Sequence, residues 1–160
     1  MNNFDRTRLT ERLAENYFSI SSMLEGIDLT IPIYKDSDWS IKDIVGHIST
    51  WDRQVTKSLN AYISGKEYSI PDFDEDAFNQ QQVLEGRMLT DQQVLGEWDQ
   101  IRKKFIVALQ DIPFDRYPGD VQHPWGDERG SVARLVQYMF DHDIECKSEI
   151  EKAIRSTRIG

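Results

Sequence analysis

Three residues whose side chains bind metals or transfer protons fall on the apolar faces of predicted helices. His47 lies in DWSIKDIVGHISTWDRQ, where Ile44 and Ile48 recur at helical spacing, so we expect its imidazole to point toward the core. His142 and Cys146 are four residues apart in YMFDHDIECKSEI, which places them one turn apart on one helix face. Imidazole and thiolate both suit zinc or nickel. One interpretation of this pattern is a metal site with three protein ligands, in which a coordination position left open for water would support hydrolysis or transfer.

The same residue types also have an ordinary structural interpretation. A single core histidine is commonly satisfied by a neighbouring acid, and unpaired cysteine is among the most frequently buried residue types. His47, His142 and Cys146 come from distant segments and do not form a continuous metal-binding motif. Spacing alone therefore leaves open both a metal site and a set of buried structural residues.

Other polar residues near these turns are candidates for supporting roles. Asp141 adjoins His142 and is predicted to orient an imidazole, with a solvated helix residue as the alternative. We expect Asp52 to be a solvated helix residue. His123, in HPWG, has two interpretations: a place near the mouth of a pocket, and packing beside Trp125 as a loop histidine, which is favoured.

Four long helices are needed to position these side chains, and each shows an apolar stripe at three- and four-residue spacing. Ser40 with Asp43 and Thr90 with Gln93 form capping-box patterns at two helix starts, and Pro113 ends the third helix. We predict long helices at about residues 6–26, 40–64, 90–112 and 131–155, and a short one at about 74–85. No segment shows the alternation of a strand. The predicted fold is all-α: a four-helix bundle in one domain, residues 1–160, whose long crossover between helices two and three carries the short extra helix.

The composition of the chain limits the classes of binding partner and the cellular compartment that we expect. The formal net charge is −9 and is spread along the chain, so counterion release would not favour binding, and we expect no nucleic-acid partner. The sequence has no basic amphipathic face and no apolar run long enough to span a bilayer, so we expect no membrane partner. A polar N-terminus and a single cysteine predict a reducing, cytoplasmic location.

Several stretches together resemble one protein family. WSIKDIVGHISTWDRQV, IPDFDEDAFNQQQV, WDQIRKKFIVALQDIP, HPWG and DHDIECKSEI are similar, in this order, to the DinB-like (YfiT-like) superfamily and especially its ClbS/DfsB branch. The resemblance runs from about residue 9 to residue 154 and implies a four-helix bundle. Metal-binding members of the family use one histidine on helix two and an H-x-x-x-H pair on helix four. His47 matches the first and His142 the second, whereas Cys146 stands where the family pattern has a third histidine.

The resemblance implies a metal-dependent hydrolase or transferase that acts on a small-molecule substrate, in detoxification or thiol-linked chemistry. The cysteine leaves two alternatives open, because it either serves as third ligand or marks a member that has lost the metal. Glu145 is a substitute ligand, ranked below Cys146 because it lies off the apolar face. A metal-free ClbS-like hydrolase, or a non-catalytic binding protein with structural buried histidines, is the alternative function. The superfamily also implies pairing as a homodimer.

Overall fold

A computed structural model describes residues 3–34 and 38–159 of the chain, and the side chains of residues 7–34 and 38–157. The helices of these residues are α1 (Asn3–Met23), α2 (Ile41–Ile63), α3 (Glu75–Gly86), α4 (Asp91–Asp111), a 3-10 turn (Phe114–Arg116) and α5 (Val132–Ile159). The four long helices form the bundle and α3 lies in the crossover between α2 and α4, which confirms the predicted all-α fold. None of the described helices is both long and apolar enough to cross a membrane.

Both predicted capping boxes are present at the starts of bundle helices. The Ser40 hydroxyl accepts a hydrogen bond from the backbone N–H of Asp43, whose carboxylate accepts one in return from the Ser40 N–H. Thr90 and Gln93 make the equivalent pair of bonds at the start of α4. Because each box satisfies two backbone groups that the helix itself leaves unpaired, both helix starts are fixed by local sequence.

Helix α2 packs against α3, α4, α5 and the segment around Val121, so it lies at the centre of the molecule. Its buried residues contribute to two apolar clusters. One cluster includes Trp51, together with Phe105 from α4 and Val136 from α5. The other includes Ile44, with apolar residues of α1, α4 and α5. A polar residue on the inner face of α2 is therefore close to several helices.

The connection between α4 and α5 contains a small antiparallel hairpin that the sequence analysis did not predict. Strand β1 (Val121–Gln122) pairs with β2 (Arg129–Gly130), and the backbone N–H of His123 donates to the carbonyl of Glu128 at 2.9 Å. The expectation of no strand was wrong because two residues are too few to show an alternating pattern. The hairpin is anchored to the crossover, since the Ile70 N–H donates to the Pro124 carbonyl at 2.8 Å.

Candidate metal centre

The structure brings the three predicted ligands together between α2 and α5. The Nε2 atoms of His47 and His142 are 2.9 Å apart, and the Cys146 sulfur is 3.7 Å from His142 Nε2. One ligand atom from each residue lies within 4.8 Å of the other two. The helical spacing in α5 produces the second contact, because residues four apart lie side by side on the same face. The first contact depends on how α2 packs against α5.

The protonation of these groups follows from their burial. Burial, together with repulsion from His142, lowers the pKa of His47 to about 3. Burial also lowers the pKa of His142. Burial raises the pKa of the Cys146 thiol, and the nearby carboxylates, led by Glu149, add to the rise. Both imidazoles are therefore in the neutral form that binds metals, whereas the cysteine must lose a proton to become a ligand.

The donor set fits a divalent ion such as zinc or nickel. Two imidazole nitrogens and one thiolate sulfur are ordinary ligands for these ions. Zinc bonds of about 2.0–2.3 Å in a tetrahedral site correspond to about 3.3–3.7 Å between ligand atoms. The 3.7 Å between the Cys146 sulfur and His142 Nε2 lies in that range, whereas the 2.9 Å between the two Nε2 atoms is shorter, so the two imidazoles would have to move apart to share an ion. The buried Nδ1 atom of His142 has no hydrogen-bond partner among the described residues, so nothing there fixes which ring nitrogen carries the proton.

Asp141 does not provide the support predicted for it. Its side chain is exposed and accepts a hydrogen bond from Gln137 at 3.0 Å. Neighbouring residues on a helix point about 100° apart, so Asp141 faces solvent when His142 faces the core. The prediction that Asp141 orients an imidazole was therefore wrong, and its alternative of a solvated helix residue describes what is seen.

The three candidate ligands lie on the wall of a cavity of about 670 Å³. The cavity lies where the two apolar clusters meet. Its lining includes Ile44 and Cys146, which belong to the cluster around Ile44, and Trp51 and Met139, which belong to the cluster around Trp51. Six aromatic side chains contribute to its lining: Tyr34, Trp39, Trp51, Phe73, Trp125 and Tyr138. Such a cavity is large enough for a small organic molecule beside the candidate ligands.

Glu128 holds two of the aromatic walls in place. Its carboxylate accepts a hydrogen bond from the Trp125 indole N–H and another from the Tyr138 hydroxyl at 2.7 Å. Arg134 donates to the same carboxylate at 2.8 Å. These bonds connect the hairpin, which carries Trp125, to α5, which carries Tyr138. The wall is therefore positioned by both elements.

His123 does not lie at the mouth of the cavity. Its side chain is fully buried and packs behind the wall, with its ring centre 5.5 Å from that of Trp125. Burial lowers its pKa. Of the two interpretations of His123, the favoured one, packing beside Trp125, is the arrangement observed, and the place at a pocket mouth was wrong. The hairpin causes this, because it turns His123 inward and exposes Trp125 to the cavity.

A buried charged cluster was missed by the sequence analysis. The guanidinium of Arg102 donates to Asp52 at 2.8 and 3.1 Å and to Asp143 at 3.0 and 2.8 Å, and all three residues are at most 1% exposed. Arg102 also donates to the Leu13 carbonyl at 3.1 Å, and Asn16 donates to Asp143. The cluster of Arg102, Asp52 and Asp143, called here the charged cluster, thus connects all four bundle helices.

The expectation that Asp52 is solvated was wrong, and a signal against it was present in the sequence. Arg102 lies four residues after Trp98 and three before Phe105, on the apolar stripe of α4, where a charge needs a buried partner. The cluster also lies next to the candidate ligands in sequence. Asp143 follows His142 directly, and Asp52 is on the same helix as His47. The charged cluster therefore helps to fix the two helices that carry the ligands.

Solved structures of the same fold come from proteins with different described activities. YfiT from Bacillus subtilis, described as a probable metal-dependent hydrolase with an unusual four-helix bundle topology, aligns with a TM-score of 0.79 at 13% identity over 98% of this chain and 90% of that chain. A mycothiol-dependent maleylpyruvate isomerase aligns with a TM-score of 0.74 at 11% identity over 93% of this chain and 63% of that chain. At such low identity these likenesses show the fold alone.

A third similar structure corrects one prediction. The colibactin self-resistance protein ClbS, solved in complex with a dsDNA, aligns with a TM-score of 0.75 at 14% identity over 94% of this chain and 95% of that chain. Excluding a nucleic-acid partner from the acidic composition was therefore wrong, because a protein of this fold forms such a complex. Net charge describes the whole surface and gives no information about a local binding site.

Sequence comparison establishes the family. No curated protein matches the chain. The sequence model of the DinB superfamily matches residues 23–145, which is well over half of the chain and includes His47 and His142. The structural likeness to YfiT and ClbS agrees with this match and with the predicted resemblance. The chain therefore belongs to the DinB superfamily.

Proposed function

We propose that this protein is a metal-dependent hydrolase or transferase that acts on a small molecule. The observation that carries the proposal is the convergence of His47, His142 and Cys146 on the wall of a cavity of about 670 Å³. The description of YfiT as a probable metal-dependent hydrolase and the isomerase of the same fold support an enzymatic role. The reaction class remains either hydrolysis or transfer of a group to a thiol.

In this proposal each part of the site has a separate task. His47, His142 and Cys146 hold the ion, which when bound lowers the pKa of a water or thiol and so supplies a nucleophile near neutral pH. The aromatic side chains bind the apolar part of the substrate and exclude water from it. The charged cluster keeps α2 and α5 at the distance that the ligands require.

Metal analysis of protein purified without a polyhistidine tag tests this proposal. After incubation with zinc or nickel and removal of free ion, we expect about one ion per chain in the wild type and a large loss in His47→Ala. His123→Ala is the matched control, since it removes a buried histidine that does not line the cavity. Less than about 0.1 ion per chain in the wild type would reject the metal-dependent function.

One observation favours a second candidate. A separation of 2.9 Å between His47 and His142 is also that of an ordinary hydrogen bond between two neutral imidazoles, which needs no metal. Together with cysteine at the third position, it supports a metal-free hydrolase like ClbS or a non-catalytic small-molecule-binding protein. The same metal analysis separates these from the first proposal.

We further propose that residues 1–160 form one domain, that the protein acts in the reducing cytoplasm, and that it pairs as a homodimer. Cyclic homodimers are the commonest closed assemblies, and the highly charged helix faces do not prevent one. Light scattering at micromolar protein concentration is the test of assembly. A single species with the mass of one chain would reject the homodimer.

A further inference from the structure

The charged residues that line the cavity are all acidic. They are Asp38, Glu75, Glu145 and Glu149. They come from the segment before α2, from α3 and from α5, so the negative charge surrounds the cavity. No lysine or arginine is among the residues that line it in the described part of the chain.

Few positive charges near the cavity compensate for these carboxylates. Asp38 pairs with Arg87 at 3.4 Å, and Glu149 accepts a hydrogen bond from the neutral Tyr34 hydroxyl. Glu75 and Glu145 have no ion-pair partner among the residues that the structure describes. A divalent ion held by Cys146 thiolate would add a net charge of about +1. The cavity would therefore stay negative with or without the metal.

The aromatic lining adds a second attraction for positive charge. Trp51 and Trp125 have ring centres 5.9 Å apart in an edge arrangement, and Trp125 and Tyr138 have ring centres 5.4 Å apart. Ring faces carry negative potential, so an organic cation beside several rings is stabilised even where it makes no hydrogen bond. Anions and carboxylate-bearing molecules are opposed by both the rings and the acids.

We infer that the ligand of this cavity is an organic cation: a small molecule with a positively charged nitrogen attached to an apolar or aromatic body. The inference rests on the proposed function only in that it takes this cavity as the substrate site. The carboxylates attract the charged nitrogen, and the rings contact both the nitrogen and the apolar body. The candidate ligands beside them lie where a reacting group of the same molecule would be placed.

Three soluble molecules of nearly equal shape test the sign of the charge. They are benzyl(2-hydroxyethyl)dimethylammonium, neutral 3,3-dimethyl-4-phenylbutan-1-ol, in which carbon replaces the nitrogen, and anionic 3,3-dimethyl-4-phenylbutanoate. Binding is measured by calorimetry on wild-type protein treated with a chelator and on the same protein loaded with zinc. We expect the cation to bind about tenfold more tightly than the neutral molecule, and the anion to bind most weakly.

Charge-removing variants assign the preference to the cavity. Glu75→Gln and Glu149→Gln, on two different helices, should each reduce the preference for the cation about threefold. Glu151→Gln is the matched control, because it removes a carboxylate from α5 that does not line the cavity, and it should keep the preference. Equal or tighter binding of the neutral molecule or the anion would overturn the inference, as would an equal loss in Glu151→Gln.

The outcome of these binding measurements does not depend on the outcome of the metal analysis. A preference for the cation in protein that binds no zinc would support the inference and reject the metal-dependent function. Zinc binding at the three ligands without any preference for the cation would support the metal-dependent function and reject the inference of a cationic ligand.

Discussion

The charged cluster and the candidate ligands are both polar groups inside the bundle, yet their environments differ. In the charged cluster, Arg102 makes four hydrogen bonds to two carboxylates and another to a backbone carbonyl, and it is only 1% exposed. The ligand set makes one contact between imidazoles and one long contact to sulfur, and it lies on a cavity. Among the described residues, the Nδ1 atom of His142 has no hydrogen-bond partner.

The difference indicates different roles for these two sets of polar groups. Buried polar groups are normally paired, because an unpaired one loses its hydration without compensation. The charged cluster obeys this rule within the protein alone. The ligand set does not, and its three residues line a cavity that can hold an ion or a small molecule. We therefore expect changes in the first region to act on stability, and changes in the second to act on binding.

The largest expected effect is on the charged cluster. Arg102→Leu leaves two buried carboxylates without a counterion, so the free energy of unfolding should fall by about 3–5 kcal/mol. Chemical denaturation followed by circular dichroism measures this. Arg53→Leu is the control, because Arg53 makes only a partly exposed ion pair with Glu97 at 3.7 Å, and its loss should cost less than about 1 kcal/mol. Similar small losses in both variants would contradict a structural role for the cluster.

For a change at His47, we expect a loss of metal affinity and little loss of stability. His47→Ala removes one ligand and one partner of His142, so affinity for zinc should fall by more than about 100-fold, or about 2.7 kcal/mol, while helix content is kept. Metal titration and denaturation are measured on the same preparation. A loss of stability of a few kcal/mol with unchanged metal content would instead identify His47 as a core residue.

The pH dependence of stability distinguishes the two regions further. Burial raises the pKa of Asp52 from 3.8 to about 7, with the attraction of Arg102 opposing the rise. A group with a raised pKa in the folded state contributes stability that is fully present below its unfolded pKa and lost as pH rises through the folded pKa. From about pH 5 to about pH 8, the free energy of unfolding should therefore fall by about 2 kcal/mol more in the wild type than in Asp52→Asn. Parallel curves for the two proteins would show that Asp52 is already ionised.

The smallest effect concerns the third ligand. Cys146→Ser replaces a thiolate with a poor ligand and should weaken zinc binding about tenfold, whereas Cys146→His should strengthen binding of metals that prefer imidazole. Thiol alkylation provides a second measurement: chelator treatment should make Cys146 more reactive, and added zinc should protect it again. If the rate of Cys146 labelling changes with neither chelator nor zinc, and the serine variant binds zinc with the affinity of the wild type, Cys146 is not a metal ligand.

The helices were predictable because their signals are local. The capping boxes at Ser40 and Thr90 and the stop before Pro113 each depend on a few neighbouring residues, and all are present. The β1–β2 hairpin was not predictable from pattern, because strands of two residues are too short to show an alternation of apolar and polar residues. The extent of α5 was also underestimated: the prediction ended it at about residue 155, but no proline or glycine occurs between Arg155 and Gly160, and the helix continues to Ile159.

The candidate site also has parts that local sequence predicts and parts that it does not. His142 and Cys146 share a face because of their spacing, so their proximity follows from sequence. That His47 approaches them depends on the packing of α2 against α5, which only the resemblance to the family indicated. The position of Arg102 on an apolar stripe indicates that it has buried partners, but it does not indicate which residues these are, since they lie 50 and 41 residues away in the chain.

The hairpin has a consequence for how proteins of this shape diversify. Trp125 forms part of the cavity wall but stands on the short loop between β1 and β2, where Gly126 adopts a φ of +58°. The candidate ligands and the charged cluster stand on helices. Insertions or substitutions in this loop would therefore change which molecules fit while leaving the reacting groups in place. Changes confined to this one short loop, in evolution or by design, would therefore alter ligand selectivity without altering the helical bundle.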